Sequence, residues 1–277
     1  MNIICDCCGR NAALLHSDSR HQICDVCYQR SYTRCSVCGT IIHREDAYRE
    51  NERVYCFSCY SSLFQYIHPH DYKPTPVFYG GIPRYFGVEL ELDYGGHNDE
   101  NARILLNAVN TDAECIYIKT DHSLQNGLEV VTHPMTLQYH KTWFPWQYLM
   151  NTASALGYHA DDAPTCGLHI HTNRNSLGNT TAKQKTAIER ILSILQARWK
   201  ELFALSRRGK NSPVRDAWSK PLPDDLNTLR NPAIGLTNPD TVEFRFFQST
   251  LHAERLFAAL QTVDRICELS LSYVDDI

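Results

Sequence analysis

Hydrophobic residues recur with two different periods in the part of the chain beyond residue 84. Four segments follow a period near 3.6 residues, which predicts helices, at about 99–110, 135–157, 181–206 and 252–273. Five shorter segments alternate between apolar and polar residues, which predicts strands, at 85–94, 115–120, 128–133, 166–172 and 241–248. Because the helices and strands do not alternate regularly, the pattern favours an α+β fold with a mainly antiparallel sheet over a doubly wound parallel one.

Two segments show neither period. Residues 68–84 contain several prolines and the pair Gly80-Gly81, which is typical of a linker. We therefore expect a small module at 1–67, a linker at 68–84 and a larger domain at 85–277. Residues 207–240 are rich in Asn, Pro, Asp and basic side chains, so they are expected to form a long loop or lid.

The charge balance and the termini restrict the class of protein. The 277 residues include 27 Lys and Arg against 31 Asp and Glu, a formal net charge of -4, which excludes a strongly basic nucleic-acid coat and an acidic disordered tail. No run approaches the roughly 18 apolar residues that span a bilayer, and the first residues enter a cysteine cluster rather than a signal sequence. We therefore expect a soluble, unsecreted protein in the cytoplasm, or in the host cytoplasm if the source is a virus.

Nine of the twelve cysteines lie within the first 59 residues. Eight of them form four Cys-x2-Cys pairs, namely Cys5/Cys8, Cys24/Cys27, Cys35/Cys38 and Cys56/Cys59. This spacing allows both thiolates of a tight turn to bind one tetrahedral zinc ion at about 2.3 Å. The pairs supply ligands for two structural zinc ions, with Cys7 left over. In a reducing compartment this spacing favours metal binding over disulfides.

The cysteine pairs belong to an internal repeat. Cys5-Asp-Cys-Cys8-Gly matches Cys35-Ser-Val-Cys38-Gly, and Cys24-Asp-Val-Cys27-Tyr matches Cys56-Phe-Ser-Cys59-Tyr. Two copies of one unit favour two sequential sites, as in the LIM-like and treble-clef tandems that this pattern resembles. A cross-braced arrangement, with the first pair joined to the third, is the alternative. Residues 1–75 carry eight basic and eight acidic side chains, so protein docking or structural support is favoured over nucleic-acid binding.

In a strand, residues two apart point to the same face of the sheet. This rule gives each predicted strand one polar face, which carries Glu89/Glu91, Lys119/Asp121/Ser123, Glu129/His133, His169/His171 and Glu243/Arg245. A solvent-exposed face is the simpler interpretation, but adjacent Glu side chains would repel one another there. Carboxylates and imidazoles are suitable ligands for divalent cations, so we interpret this face as a functional site.

The same segments carry a resemblance to a known family. They are, in order, Gly87-Val-Glu89-Leu-Glu91, Lys119-Thr-Asp121-His-Ser123-Leu, Gly127-Leu-Glu129-Val-Val-Thr-His-Pro134, Cys166-Gly-Leu-His169-Ile-His171 and Thr241-Val-Glu243-Phe-Arg245-Phe-Phe. Together they resemble the amidoligase family, whose members are carboxylate-amine ligases related to glutamine synthetase and γ-glutamylcysteine synthetase. The likeness covers about residues 84–265 and leaves out the zinc-binding module. It implies a curved antiparallel sheet, like that of glutamine synthetase, with one polar catalytic face and helices on the other.

The resemblance also implies an ATP-dependent reaction. ATP phosphorylates a carboxylate of a peptide, amino acid or protein, and an amine then attacks the acyl phosphate to form an amide or isopeptide bond. Two or three Mg²⁺ or Mn²⁺ ions contact the phosphates and are held by Glu89, Glu91, Glu129 and Glu243. His169 or His171 contacts a metal ion or the phosphates.

The remaining roles follow from the same resemblance. Arg245 neutralises charge on the γ-phosphoryl group during transfer. Nucleotide or substrate is positioned by Lys119, Asp121 and Ser123. On the expected lid, the run Arg207, Arg208 and Lys210 is favoured as a solvated basic segment, and binding of phosphate or of a substrate carboxylate is the alternative.

Two other functions use the same residues. One is a metal-dependent hydrolase or nuclease that needs no ATP, and the other is a non-catalytic adaptor that binds through its zinc module. Arg245 beside Glu243 favours the ligase, because a hydrolase has less need of a fixed cation next to a metal ligand. The intact set of acidic residues argues against the adaptor.

Overall fold

The computed structural model describes residues 4–11, 15–50, 52–81, 84–209, 214–215 and 230–272. Contacts between residues divide the chain into two compact units, Met1–Gln65 and Tyr66–Ile277. No helix within the described ranges is long and apolar enough to cross a bilayer.

The first unit is built from short hairpins and two short helices. Its elements are β1 (Leu15–Ser17), β2 (Gln22–Cys24), α1 (Asp25–Ser31), β3 (Tyr32–Arg34), β4 (Ile41–His43), β5 (Tyr48–Glu50), β6 (Arg53–Tyr55) and α2 (Phe57–Phe64). The strands pair antiparallel as β1–β2, β3–β4 and β5–β6. Cys5, Ile23 and Ile41 form its buried cluster. A core of this size supplies little hydrophobic stabilisation, so metal binding has to contribute folding energy.

The second unit is built around one eight-stranded sheet. Its strands are β7 (Ile67–His68), β8 (Phe86–Leu92), β9 (Ile116–Lys119), β10 (Leu128–Thr132), β11 (Gly167–Asn173), β12 (Arg230–Asn231), β13 (Ile234–Gly235) and β14 (Thr241–Gln248). Their order across the sheet is β12-β13-β14-β11-β8-β10-β9-β7, and every neighbouring pair is antiparallel except β7 with β9. This confirms the expected, mainly antiparallel sheet.

Helices cover the apolar side of this sheet. They are α3 (Asp99–Val109), α4 (Leu137–Thr142), α5 (Trp146–Ala155), α6 (Thr181–Ala197), α7 (Trp199–Ser206) and α8 (Ala253–Ser272). One continuous core contains their apolar residues together with Val88 and Leu90 of β8. The mixture of helices and strands confirms the α+β class. Because strand side chains alternate, burying Val88 and Leu90 among the helices leaves Glu89 and Glu91 on the opposite face.

Two of the predicted helices are each broken in two. The segment 135–157 breaks between α4 and α5, where Pro145 has no N–H to donate and restricts the residue before it. The segment 181–206 breaks at Arg198, whose φ of -114° and ψ of 19° lie outside the helical region. No proline or glycine marks this second break, so the sequence pattern could not indicate it.

Three short strands lie where none was expected. β12 and β13 occupy part of the predicted loop at 207–240, and β7 includes His68, the first residue of the predicted linker. Each is two residues long, which is too short to show alternation. They extend the sheet at its two edges. Most of the predicted lid, at 210–213 and 216–229, lies outside the described residues.

A buried histidine connects the helices to β8. His140 of α4 places its Nε2 3.1 Å from the carbonyl oxygen of Phe86, and Trp146 Nε1–H donates to its Nδ1 at 3.3 Å. A carbonyl can only accept and an indole N–H can only donate, so His140 is the neutral tautomer with its proton on Nε2. Burial, partly offset by the Phe86 carbonyl, lowers the pKa of His140 to about 4.

His140 should therefore make the second unit less stable at pH 5 than at pH 7, relative to a chain that lacks this imidazole. The folded pKa of His140 is about 4 and the unfolded value is about 6.5, so in this range the unfolded chain binds the proton first and His140 removes about 2 kcal/mol of stability. We expect His140→Gln to remove this contribution of about 2 kcal/mol from the change in unfolding free energy between pH 7 and pH 5. Denaturant unfolding followed by tryptophan fluorescence measures it, because all 4 tryptophans lie in the second unit. The same pH slope in wild type and variant would contradict this prediction.

Candidate metal centres and active site

Strand register brings predicted site residues of three neighbouring strands into one row. Glu129 of β10 lies opposite Lys119 of β9 on one side and opposite Glu91 of β8 on the other. Directly paired residues of antiparallel strands point to the same face. These three side chains therefore share the face that points away from the helices.

Two further rows continue the polar face across β11 and β14. His169 of β11 lies opposite Glu89 of β8, and His171 lies opposite Glu243 of β14. Each imidazole is thus placed next to a carboxylate of a neighbouring strand. The sheet brings together all four predicted carboxylates and both predicted histidines.

Glu89 is the centre of this face. Its Oε2 lies 3.3 Å from His169 Nδ1, and its Oε1 lies 3.4 Å from His171 Nε2 and 3.9 Å from Lys119 Nζ. Burial opposes ionisation of this carboxyl group, but the two imidazoles outweigh burial and hold the pKa of Glu89 well below its usual range. Glu89 is therefore a carboxylate at neutral pH.

Lys119 lies beside the buried carboxyl group of Glu129, next to Glu89. Glu129 is 2% exposed, and its Oε2 lies 3.0 Å from Lys119 Nζ. Burial and the charge of Glu89 raise the pKa of Glu129 to about 9, because one ammonium group does not offset both effects. A divalent cation next to Glu129 would offset the repulsion between the two carboxylates.

Glu91 faces the beginning of β11 and Arg208. Its Oε2 accepts a hydrogen bond from the Gly167 N–H, and burial raises the pKa of this carboxyl group. Arg208, which follows α7, donates from Nη1 to the Cys166 carbonyl oxygen at 3.2 Å. A Cβ atom on residue 167 would lie 2.6 Å from Arg208 Nη2, so Gly167 leaves the space that the guanidinium group of Arg208 occupies beside β11.

Glu243 pairs with Arg245 at the other side of the face. Arg245 Nη1 lies 2.9 Å from Glu243 Oε1, and the same oxygen lies 3.7 Å from His169 Nδ1. Gly235 of β13 is paired with Glu243, and a Cβ atom there would lie 2.3 Å from Glu243 Oε2. The short strand β13, which the sequence pattern did not predict, therefore makes room for this carboxylate.

Two sets of three side chains on this face are suitable for a metal ion. One contains Glu89, Glu129 and His169, and the other contains Glu89, His171 and Glu243, with one ligand atom from each residue within 4.8 Å of the others. Among the described residues, the buried His171 Nε2 has no hydrogen-bond partner, although carboxylate oxygens of Glu89 and Glu243 lie 3.4 and 3.9 Å away. A cation would give these groups a common partner, and the carboxylate-rich sets suit Mg²⁺ or Mn²⁺.

A third set includes a residue that sequence reasoning missed. His70 lies with Asp121 and Glu129 within the same 4.8 Å limit, and its ring centroid is 6.0 Å from that of His122. No sequence motif marks His70. It lies in the predicted linker, two residues after β7, and the pairing of β7 with β9 carries it to the site.

Other predicted residues lie away from the centre of this face or outside the described part of the chain. β9 ends at Lys119, so Asp121 and Ser123 lie beyond the strand, and the expected alignment of Lys119, Asp121 and Ser123 on one strand face was wrong. Ser123 is exposed, and its N–H donates to Asp121 Oδ1 at 2.6 Å. Glu91 lies outside all three ligand sets. Arg207 is exposed, and Lys210 lies outside the described residues.

The first unit gathers its paired cysteines into two clusters. One contains Cys5, Cys8, Cys24 and Cys27, and the other contains Cys35, Cys38, Cys56 and Cys59. This grouping joins the first pair to the second and the third pair to the fourth, as in a sequential arrangement. Both clusters are compatible with structural zinc.

Sulfur distances in these clusters fit a tetrahedral ion. Cys8 Sγ lies 3.9 Å from Cys24 Sγ, and Cys38 Sγ lies 3.8 Å from Cys56 Sγ. Two sulfur ligands of one tetrahedral zinc ion, each bound at about 2.3 Å, are about 3.8 Å apart. Burial opposes ionisation of Cys5, but hydrogen bonds from backbone amides outweigh it and lower the pKa of this thiol to about 6, which favours the thiolate that binds zinc.

Comparison with known proteins adds no assignment. Neither a protein-family model nor a curated protein matches this sequence.

We expect two zinc ions per chain, one in each four-cysteine cluster. Cys24→Ser should lower the zinc content from two to one, because it removes a ligand from the first cluster only. Elemental analysis of the purified protein measures this content. Cys7→Ser is the matched control and should retain both ions. Loss of both ions from the Cys24 variant, or of none, would contradict two independent sites.

Proposed function

We propose that the second unit is an ATP-dependent carboxylate-amine ligase with a glutamine-synthetase-like fold. The observation that carries this proposal is the convergence of Glu89, Glu129, Glu243, His169 and His171 on one face of the sheet. The motif order that resembles the amidoligase family supports the same function. Such enzymes work mainly by positioning phosphates and stabilising their charge, which requires a fixed group of ligands and cations.

We assign one metal position of this reaction to each of two ligand sets. Glu89, Glu129 and His169 would hold one ion, and Glu89, His171 and Glu243 would hold the other. Mg²⁺ or Mn²⁺ bound there supplies positive charge that offsets the repulsion between ATP phosphates and an attacking carboxylate. Glu89 is common to both sets, so it couples the two positions.

The proposed reaction has two steps. An oxygen of the substrate carboxylate attacks the γ-phosphorus of ATP, the bond to the β-phosphate oxygen breaks, and ADP leaves. An amine nitrogen then attacks the carbon of the acyl phosphate, inorganic phosphate and a proton are released, and an amide or isopeptide bond remains. The carboxylate belongs to a peptide, an amino acid or a protein.

Cations beside the carboxylates suit phosphoryl transfer. Arg245 contacts Glu243, yet 43% of its side chain is exposed, so its guanidinium group is accessible to a γ-phosphoryl group. Lys119 and Arg208 add positive charge next to Glu129 and Glu91. A metal-dependent hydrolase or nuclease has less need of these cations, and we favour the ligase for this reason.

The zinc module has a separate proposed role. We infer that it supports the fold or docks a protein partner, because its balanced charge gives little attraction for a phosphate backbone. Clustered Cys-x2-Cys pairs that hold zinc as thiolates are typical of a reducing compartment. The cytoplasm, or the host cytoplasm for a viral protein, is the proposed location.

ATP should bind the second unit only together with Mg²⁺ and through Glu89. We expect isothermal titration of the zinc-loaded full chain to show ATP binding that is lost without Mg²⁺. Glu89→Gln should weaken this binding by at least about tenfold, because it removes charge from a ligand that both metal positions share.

Glu100→Gln is the matched control for this titration. Glu100 lies on α3, where its side chain is 64% exposed and pairs with Arg103, so its loss should leave ATP affinity unchanged. Circular dichroism and zinc content show whether each variant keeps its fold. Failure of the metal-replete wild type to bind ATP at millimolar concentration would overturn the ligase proposal.

A further inference from the structure

Part of the predicted linker is fixed against the sheet next to the polar face. The ring of Tyr72 stacks on His68 with centroids 3.7 Å apart and meets the edge of Tyr117 of β9 at 5.7 Å. Farther along the chain, the N–H of Val77 donates to His133 Nδ1 at 3.2 Å. Both ends of the 72–76 segment are therefore anchored to the second unit.

The 72–76 segment forms one wall of a cavity of about 250 Å³. Tyr72 and Lys73 line it from the segment, and Glu89, Lys119 and His171 line it from the polar face. The cavity is smaller than the roughly 300–1,000 Å³ of typical pockets for drug-sized ligands. It can accept a group the size of an amino acid beside the candidate metal ligands, but not a nucleotide.

Two hydrogen-bond donors around this cavity have no acceptor among the described residues. Val77 N–H donates to His133 Nδ1, so the ring proton of neutral His133 is on Nε2. That Nε2 is buried and has no hydrogen-bond partner within the described part of the chain. Lys73 is exposed and forms no ion pair with any described residue. A buried donor and an unpaired ammonium group favour an anionic ligand, and they disfavour an amine.

We propose that this cavity binds the carboxylate substrate, and that Lys73 of the 72–76 segment selects a substrate with a second anionic group. This inference rests on the proposed ligase function. One carboxylate of the substrate lies near Glu89 and His171, where the reaction takes place, and the second group pairs with Lys73. A segment that looks like a linker in the sequence thus determines specificity.

Gly87 leaves the cavity open at the polar face. It lines the cavity in β8, and a Cβ atom there would meet His171 Cβ at 3.7 Å, which is an ordinary contact distance. A larger side chain is therefore compatible with the strand, and it would occupy cavity space. Valine favours strands, so Gly87→Val is a suitable variant for filling the cavity.

The test compares two probes of equal chain length. Glutarate carries a carboxylate at each end, and pentanoate replaces one of them with a methyl group. In isothermal titration of the zinc-loaded full chain with Mg²⁺, we expect glutarate to bind about fivefold more tightly than pentanoate, as one partly exposed ion pair allows. Lys73→Ala should remove this preference, and Lys73→Arg should retain it.

Two further variants complete the test. Thr75→Ala changes a residue of the same segment that does not line the cavity, so it should retain the preference for glutarate. Gly87→Val should weaken glutarate binding at least about tenfold by filling the cavity. Circular dichroism shows whether each variant is folded.

Equal binding of the two probes, absence of glutarate binding, or the same preference in the Lys73→Ala and Thr75→Ala variants would overturn the proposal. A parallel ATP titration separates this failure from failure of the ligase proposal. If glutarate binding depends on Lys73 but ATP does not bind, the cavity assignment as a carboxylate site stands and the ligase is wrong. If ATP binds with Mg²⁺ and glutarate does not, the cavity assignment is wrong and the ligase proposal stands.

Discussion

Negative charge concentrated on one face of a sheet is the constraint on which the second unit depends. Glu129 is buried and Glu89 is partly buried, and the charge of Glu89 helps to raise the pKa of Glu129 even though Lys119 Nζ lies 3.0 Å from a Glu129 carboxyl oxygen. Such an arrangement costs folding free energy unless cations offset it. Lys119 and the imidazoles of His169 and His171 offset part of the charge in the protein itself. A divalent cation bound through Glu89 would offset more, which makes the face a reasonable place for phosphate chemistry.

The fold gives this face its rigidity. Four carboxylates and two imidazoles lie on strands whose other side belongs to one continuous apolar core, so strand register fixes their spacing. Glycines at 167 and 235 leave space that Arg208 and Glu243 occupy. The first unit is organised differently. Its buried apolar cluster is small, and its paired cysteines form two separate four-residue clusters. Metal ions would therefore stabilise the first unit in place of a large core, and in the proposed function of the second unit they would bind the phosphates.

Local periodicity was sufficient to predict the strands that carry most of the candidate site residues. A strand repeats every two residues, so the segments around Glu89 and His169 showed both their conformation and their polar side. Periodicity could not indicate the break at Arg198 or the two-residue strands β7, β12 and β13, since these depend on pairing with distant residues. The places of His70 and Lys73 could not be predicted either, because prolines around them favour a linker and only tertiary contacts bring them beside the sheet.

The central claim is that Glu89 binds divalent cations together with residues from neighbouring strands. Crystals grown with MnCl₂ and measured near the manganese absorption edge test it most directly. The account predicts anomalous peaks at about 2.2 Å from Glu89 carboxylate oxygens, with His169 and Glu129 around one peak and His171 and Glu243 around the other. Crystals without a manganese peak near Glu89, in which both histidines and Lys119 remain its only partners, would contradict the account.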